Sequence, residues 1–261
     1  MDFARVRLEI HEAVAVLTLN EPDVMNAAGE PMLDDILAAL DIVEDRANGA
    51  RCLVLTGAGQ AFCAGANLKE RGAGKAKPVG IVLETHWHPL LRRLRRLHCP
   101  IVVAVNGAAA GGGMALALTG DIVVAARNAY FLQAFRRIGL APDVGSTWIL
   151  PRRIGVARAM ELSLLGEKLP AEKALAWGLI NRVVDDGQAL AEAMTIAREL
   201  AAGPTKALAL IRGLYWDSTE NTFEEQLDLE FRTQRIAGAT EDFREGVTAF
   251  LEKRPARFRG K

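Results

Sequence analysis

The sequence predicts an α/β fold with a parallel sheet, followed by a helical C-terminal segment. Short β-branched runs alternate with helix-forming stretches along the first two thirds of the chain, an alternation typical of parallel strands joined by crossover helices. The residues after Gly203 contain no strand-like run. With 261 residues, half of them hydrophobic, the chain has enough material for one large core.

Four apolar, β-branched runs are predicted to be buried strands. They span residues 14–19, 52–56, 101–105 and 122–125. Between the first two, residues 31–46 place apolar side chains at helical spacing behind Pro31, which is a favoured residue for a first helical turn. Ligands of such sheets bind beyond the carboxyl ends of the strands.

At Gly203-Pro204 the sequence pattern changes from strands that alternate with helices to helices alone. We therefore expect an α/β core over residues 1–202 and a helical C-terminal segment, with a role in oligomerisation or as a lid, over residues 203–261. The Gly- and Lys-rich residues 71–80 are predicted to form a mobile surface loop.

Lys+Arg and Asp+Glu both number 32, so no net charge attracts the protein to nucleic acid or to a membrane surface. Cys52, Cys63 and Cys99 are odd in number and lack metal-ligand spacing. We expect structural thiols, no metal site and no disulfide. The charged N-terminus does not resemble a signal peptide, and glycines interrupt the uncharged residues 100–120, so a cytoplasmic location is expected.

Two glycine-rich segments, residues 53–70 and 101–122, each follow a predicted strand. Neither has the glycine spacing of a dinucleotide or phosphate loop. Taken singly, each is explained by a tight turn between packed elements. Taken together, they can aim backbone N–H groups into one cleft, and a helix that begins near Gly112 would add the positive end of its dipole.

The motifs AFCAGANLKE, VNGAAAGGGMALALTGDI and GLAPDVGSTW resemble the signatures of the crotonase (enoyl-CoA hydratase/isomerase) superfamily. The C-terminal stretch ENTFEEQLDLE is similar to the 1,2-epoxyphenylacetyl-CoA isomerase group within it. The resemblance implies a crotonase-like core of repeated ββα units and an acyl-CoA substrate. Coenzyme A would enter as part of the thioester, with no tightly bound cofactor.

By this resemblance, the N–H groups of Ala66 and Gly112 form an oxyanion hole for the thioester oxygen. Such a donor typically contributes ~10²-fold or more to the rate. The CoA adenine would lie along residues 64–69, where the candidate contacts are Ala64, Asn67, Leu68 and Lys69.

The family's hydratases carry two glutamates where this chain has Ala115 and Phe135. Asp143 is the only carboxylate between Asp121 and Glu161, and it matches the acid/base aspartate of isomerase members. The resemblance therefore favours an isomerase over a hydratase, with Phe135 near the substrate. Apolar neighbours such as Phe135 and Leu140 would raise the pKa of Asp143. The alternative role for Asp143 is a helix N-cap after Pro142.

Two further readings stay open. Trp87 and His88, together with Asp143, resemble the arrangement in 4-chlorobenzoyl-CoA dehalogenase, where a histidine activates water. A catalytically inactive crotonase fold that serves as a binding protein is the other alternative. The family resemblance also implies a homotrimer or a hexamer built as a dimer of trimers, in which Phe258 and Lys261 reach the CoA site of an adjacent subunit.

Overall fold

The computed structural model describes residue 1, residues 3–68 and residues 78–261. Within these residues the strands form a six-stranded sheet of order β1-β2-β3-β5-β7-β10 and a four-stranded sheet of order β4-β6-β8-β9. The strands are β1 Val6–His11, β2 Val14–Leu19, β3 Cys52–Gly57, β4 Ala61–Cys63, β5 Ile101–Val105, β6 Ala108–Ala110, β7 Ile122–Ala126, β8 Tyr130–Leu132, β9 Lys168–Pro170 and β10 Arg182–Val184.

The helices lie between and after these strands. They are α1 Glu30–Glu44, α2 Val79–Val82, α3 His88–Arg96, α4 Gly112–Ala117, α5 Ser146–Ile154, α6 Val156–Leu165, α7 Ala171–Ala176, α8 Ala189–Ala202, α9 Thr205–Asp217, α10 Phe223–Gly238 and α11 Glu241–Leu251. A π-helical turn, Leu83–Trp87, joins α2 to α3, and a 3₁₀ helix, Phe135–Ile138, follows β8.

Both sheets are largely parallel, as the alternating pattern predicts. The larger sheet is parallel from β2 through β3, β5 and β7 to β10, and only β1 pairs antiparallel. In the smaller sheet β4, β6 and β8 are parallel and β9 is antiparallel. The pairs β3–β4, β5–β6 and β7–β8 each place one strand in each sheet and then lead into helix. This confirms the predicted repeat of ββα units.

The four predicted strands coincide with β2, β3, β5 and β7 to within one residue at an end. Every residue of β2 and β5 is buried, because both faces of the parallel sheet are covered. One face packs against α8, whose alanines at Ala189, Ala193 and Ala197 let the helix approach closely.

The chain after Gly203 is helical, as predicted, and none of its residues belongs to the main hydrophobic core, whose last member is Ala201. Arg212 of α9 attaches this C-terminal segment to the core, and its side chain is only 5% exposed. The Arg212 guanidinium pairs with Asp121 and donates hydrogen bonds to the carbonyl groups of Leu94 and Leu97 at the end of α3. No helix in the described part of the chain has the length and apolar character needed to cross a membrane.

Candidate active site

A cavity of about 630 Å³ lies where the small sheet ends. Three of its walls come from segments that directly follow parallel strands: residues 64–68 after β4, residues 111–112 after β6 and residues 134–144 after β8. The cavity thus occupies the carboxyl end of the sheet, where ligands of parallel sheets bind. Residues 28–31, Val82 at the end of α2, and the first and last residues of the π-helical turn, Leu83 and Trp87, complete the lining.

Ala66 is held in an isolated parallel bridge with Ala28. The N–H of Ala28 donates to the Gly65 carbonyl at 2.7 Å, and the N–H of Asn67 donates to the Ala28 carbonyl at 3.2 Å. In a parallel bridge both of these hydrogen bonds lie on the side of residues 65–67 that faces Ala28. The N–H of Ala66 therefore points away from Ala28, and the bridge fixes its direction.

The three glycines that open α4 have different structural roles. Gly111 has φ +53° and ψ −125°, a conformation that side chains other than hydrogen disfavour. A Cβ on Gly113 would lie 2.2 Å from the Cys63 carbonyl oxygen, so only glycine allows α4 to pack on β4. Gly112 lies between them as the first residue of the helix, and the N–H of a first-turn residue has no partner within its helix.

The two N–H-bearing segments are in close contact. A Cβ on Gly65 would lie 2.8 Å from the Ala110 carbonyl oxygen and 3.5 Å from the Gly112 nitrogen. Ala66 and Gly112 both line the cavity. The structure therefore brings the two predicted oxyanion-hole residues to one point, as two backbone amides on neighbouring rigid elements.

Asp143 lines the same cavity and does not cap a helix. The N-cap of α5 is Gly145, with no side-chain cap hydrogen bond, and the backbone carbonyl of Asp143 accepts a hydrogen bond from the Ser146 N–H at 2.9 Å. The N-cap alternative for the Asp143 side chain is therefore wrong, because the turn at residues 144–145 delays the start of the helix.

Aromatic rings form two walls beside the glycines. A Cβ on Gly112 would lie 3.3 Å from Cζ2 of Trp87, and one on Gly111 would lie 3.8 Å from Cζ of Phe135. Phe135 is 7% exposed and Trp87 is 3% exposed. Ala115 is fully buried behind them and does not reach the lining.

The remaining predicted residues fall into two groups. Ala64, Asn67 and Leu68 line the cavity with Phe135, whereas Lys69 lies outside the described residues. His88 is half-buried at the start of α3 and does not line the cavity. The preceding residue, Trp87, lines the cavity instead, since consecutive helical residues point about 100° apart.

Phe258 and Lys261 also lie away from this cavity. The Phe258 carbonyl accepts a hydrogen bond from Arg51, and its ring lies 3.4 Å from the position of a Gly246 Cβ. The Lys261 carbonyl accepts from the Asp242 N–H at 3.0 Å. These contacts tie the C-terminal residues to their own chain, and a role in an adjacent CoA site stays a prediction.

Two cavity residues with chemical consequences were not predicted from the sequence. Glu30, the first residue of α1, brings a second carboxyl group to the lining, and Arg137 of the 3₁₀ helix brings a cation. The signal for Glu30 was weak, because a glutamate in a first helical turn is ordinarily explained by the helix dipole.

None of the three cysteines is suited to nucleophilic chemistry. Burial raises the pKa of the Cys63 thiol, which lies beside Gly113, to about 11. Burial likewise raises the pKa of Cys99 to about 12 and raises the pKa of Cys52. A thiol with a raised pKa is a poor nucleophile at neutral pH, so these residues serve packing.

Nearly the whole chain is similar to known proteins. Residues 9–261 match the family model for enoyl-CoA hydratase/isomerase. The chain is 48% identical over 255 residues to 1,2-epoxyphenylacetyl-CoA isomerase of Escherichia coli, covering 97% of each protein. It is 46% identical to a Rhodobacter capsulatus protein named "Probable enoyl-CoA hydratase", covering 100% of both.

A solved structure shares the fold as well. The crystal structure of an enoyl-CoA hydratase from Polaromonas sp. JS666 matches with a TM-score of 0.91 at 35% identity, over 97% of this chain and 99% of that one. Relatives with isomerase names and relatives with hydratase names are thus both close.

Proposed function

This chain belongs to the enoyl-CoA hydratase/isomerase family, and we propose that it is an acyl-CoA isomerase that moves a proton next to a thioester. One observation carries the proposal: Ala66, Gly112 and Asp143 all line one cavity. The two positions where the family's hydratases hold glutamates are apolar and buried, as Ala115 and Phe135. The name of the E. coli relative supports the same class of reaction.

The proposed reaction needs one acid/base group and no co-reactant. The Asp143 carboxylate removes a proton from a carbon adjacent to the thioester system, and the electron pair moves onto the thioester oxygen. The Ala66 and Gly112 N–H groups stabilise this enolate. Asp143 then returns the proton to a different carbon, so that product and substrate have the same atoms. Coenzyme A takes part only as the carrier of the acyl group.

The test is a panel of enoyl-CoA and epoxide-ring acyl-CoA thioesters, assayed for isomerisation and for hydration. Asp143→Asn keeps the side-chain size but cannot accept the proton, so isomerisation should fall by ~10²-fold or more with CoA affinity retained. Asp23→Asn, at an exposed site, is the matched control. Unchanged turnover in folded Asp143→Asn protein would reject the proposed role of Asp143.

Hydration is the second candidate, because Glu30 brings another carboxyl group into the cavity. Hydration needs one group to activate water and another to protonate the adjacent carbon. If the wild-type protein hydrates crotonyl-CoA faster than it isomerises any thioester in the panel, and Glu30→Gln removes that hydration, the isomerase proposal is wrong.

The position of His88 speaks against the dehalogenase alternative, since His88 does not line the cavity. The inactive binding-protein reading predicts that every thioester in the panel binds without turnover. A role in fatty or aromatic acid degradation and a cytoplasmic location stay predictions from the sequence.

We also propose that α9, α10 and α11 join copies of the chain in a trimer or a dimer of trimers. Large apolar side chains project from these helices, including Phe223 at 73%, Phe231 at 63% and Phe250 at 81% exposure. Several large apolar side chains exposed on neighbouring helices are typical of a subunit interface.

A further inference from the structure

Val144, the residue after Asp143, has a left-handed backbone with φ +51°. A β-branched side chain is strongly disfavoured there, because its Cβ substituents crowd the neighbouring carbonyl groups. Six described residues other than glycine have positive φ, and Val144 is the only β-branched one among them. At Glu12 and Ala13, two consecutive residues with positive φ make the tight turn between β1 and β2. Val144 does not belong to a hairpin turn of that kind.

Packing holds Val144 in this conformation. The residue is 2% exposed and lines the cavity. Its Cγ2 atom lies 3.4 Å from the position of a Gly112 Cβ, and Trp87 Cζ2 lies 3.3 Å from the same position. The valine methyl and the tryptophan ring therefore both pack on Gly112, one of the two proposed oxyanion-hole residues.

The strained residue also sets the path of the chain at Asp143. Gly145 follows with φ +76°, so two consecutive residues are left-handed. The Ser146 N–H donates to the Asp143 carbonyl and closes the turn onto α5. If φ of Val144 relaxed to a negative value, the peptide plane between residues 143 and 144 would rotate relative to α5. The Asp143 side chain would then turn with it.

We propose that Val144 is a positioning residue for Asp143. Its left-handed backbone, held by packing on Gly112, fixes the Asp143 carboxyl group relative to the Ala66 and Gly112 amides. Backbone strain persists where the surrounding structure over-determines it, and it collects at active sites. The inference rests on the proposed acid/base role of Asp143.

Val144→Ala and Val144→Gly test the inference, because glycine relieves the strain and alanine does not. At an ordinary buried site glycine lowers stability more than alanine does. Here the glycine variant should melt at the same or a higher temperature than the alanine variant. It should also have the lower kcat, by about 10-fold or more relative to wild type with KM little changed, since a freed turn misplaces the acid/base group.

A simple structural role instead predicts that the glycine variant melts at a lower temperature than the alanine variant, with kcat falling in step with stability. That pattern, or wild-type kcat in Val144→Gly, would overturn the inference. Should the glycine variant fail to fold, the alanine variant decides: because it lacks the methyl group that packs on Gly112 and holds the turn, its kcat must fall with KM unchanged. The control is Lys253→Gly. Lys253 is also left-handed, with φ +54°, but it lies at an exposed position just after α11. Glycine there should relieve the same backbone strain and leave kcat unchanged.

A double-variant cycle separates this inference from the proposed function. In an Asp143→Asn background, neither substitution at Val144 should lower the residual kcat further, because the group being positioned has been removed. A further loss there would overturn the inference while leaving the role of Asp143 intact. If Asp143→Asn alone keeps wild-type turnover, the proposed function fails, and the positioning role fails with it.

Discussion

The two ends of this molecule bury their apolar side chains very differently. In the α/β core, helices and sheets cover each other so completely that most residues of β2, β3 and β5 have no exposed surface. In the helices after Gly203, Ala249 is the one buried hydrophobic residue, while phenylalanines at 223, 231, 243 and 250 are more than half exposed. The core is thus complete within one chain, whereas the C-terminal segment presents an apolar surface.

Because of this difference, the two regions should not tolerate substitutions equally well. Around the cavity, carbonyl groups and glycine Cα atoms approach closer than any side chain allows, so added atoms are costly. In the C-terminal helices a few polar contacts, above all those of Arg212, attach otherwise exposed helices to the core.

The largest effect is expected from the same substitution placed in each region. Gly113→Ala forces a Cβ to within 2.2 Å of the Cys63 carbonyl oxygen, and we expect a loss of about 3 kcal/mol or more of unfolding free energy. Gly213→Ala, in α9, meets no atom within 4 Å and should gain about 0.5–1 kcal/mol from helix propensity. Urea unfolding measures both. Equal effects of the two substitutions would contradict the contrast.

Arg212→Met should detach the C-terminal helices from the core. It leaves the Asp121 carboxyl group, whose pKa burial already raises, without the guanidinium that lowers it. We expect a loss of about 3–5 kcal/mol at pH 7. Arg254→Met, which breaks an exposed ion pair with Glu245, is the matched control and should change stability far less.

The pH dependence of that loss follows from the sign of the Asp121 shift. An acid with a raised folded pKa stabilises the fold fully below its ordinary pKa of 3.8, and this contribution is lost as the pH rises through the folded value. Removing Arg212 raises the folded pKa further. The deficit of the variant relative to wild type should therefore be smallest near pH 4 and largest at neutral pH. A deficit independent of pH would show that Asp121 is not the cause.

Phe231→Asp should have a smaller effect on the single chain and a clear effect on assembly. Its side chain is 63% exposed, so the fold of one subunit should change by no more than about 0.5 kcal/mol. Subunit association should weaken by about 2 kcal/mol or more if the residue is central to an interface. Light scattering measures the mass. Gln188→Glu adds the same charge at an exposed position outside the C-terminal helices and should leave the mass unchanged. A monomeric wild-type protein would refute the assembly proposal.

The sequence by itself determined the features that depend on neighbouring residues. The strands β2, β3, β5 and β7, the start of α4 at Gly112 and the helical character after Gly203 all follow from local periodicity and propensity. The proposed oxyanion-hole residues Ala66 and Gly112 and the proposed acid/base residue Asp143 were predicted from motifs that resemble those of the family.

Only the tertiary structure decided which distant segments share the cavity. Glu30 enters it because α1 starts beside the Ala28–Ala66 bridge, a contact between segments almost 40 positions apart. Trp87 rather than His88 lines it, because packing of this helical segment against the glycines turns the Trp87 side chain toward the cavity and the next residue about 100° away. The strain at Val144 is likewise invisible in the sequence, since it exists only where packing on Gly112 outweighs the local preference of valine for extended backbone.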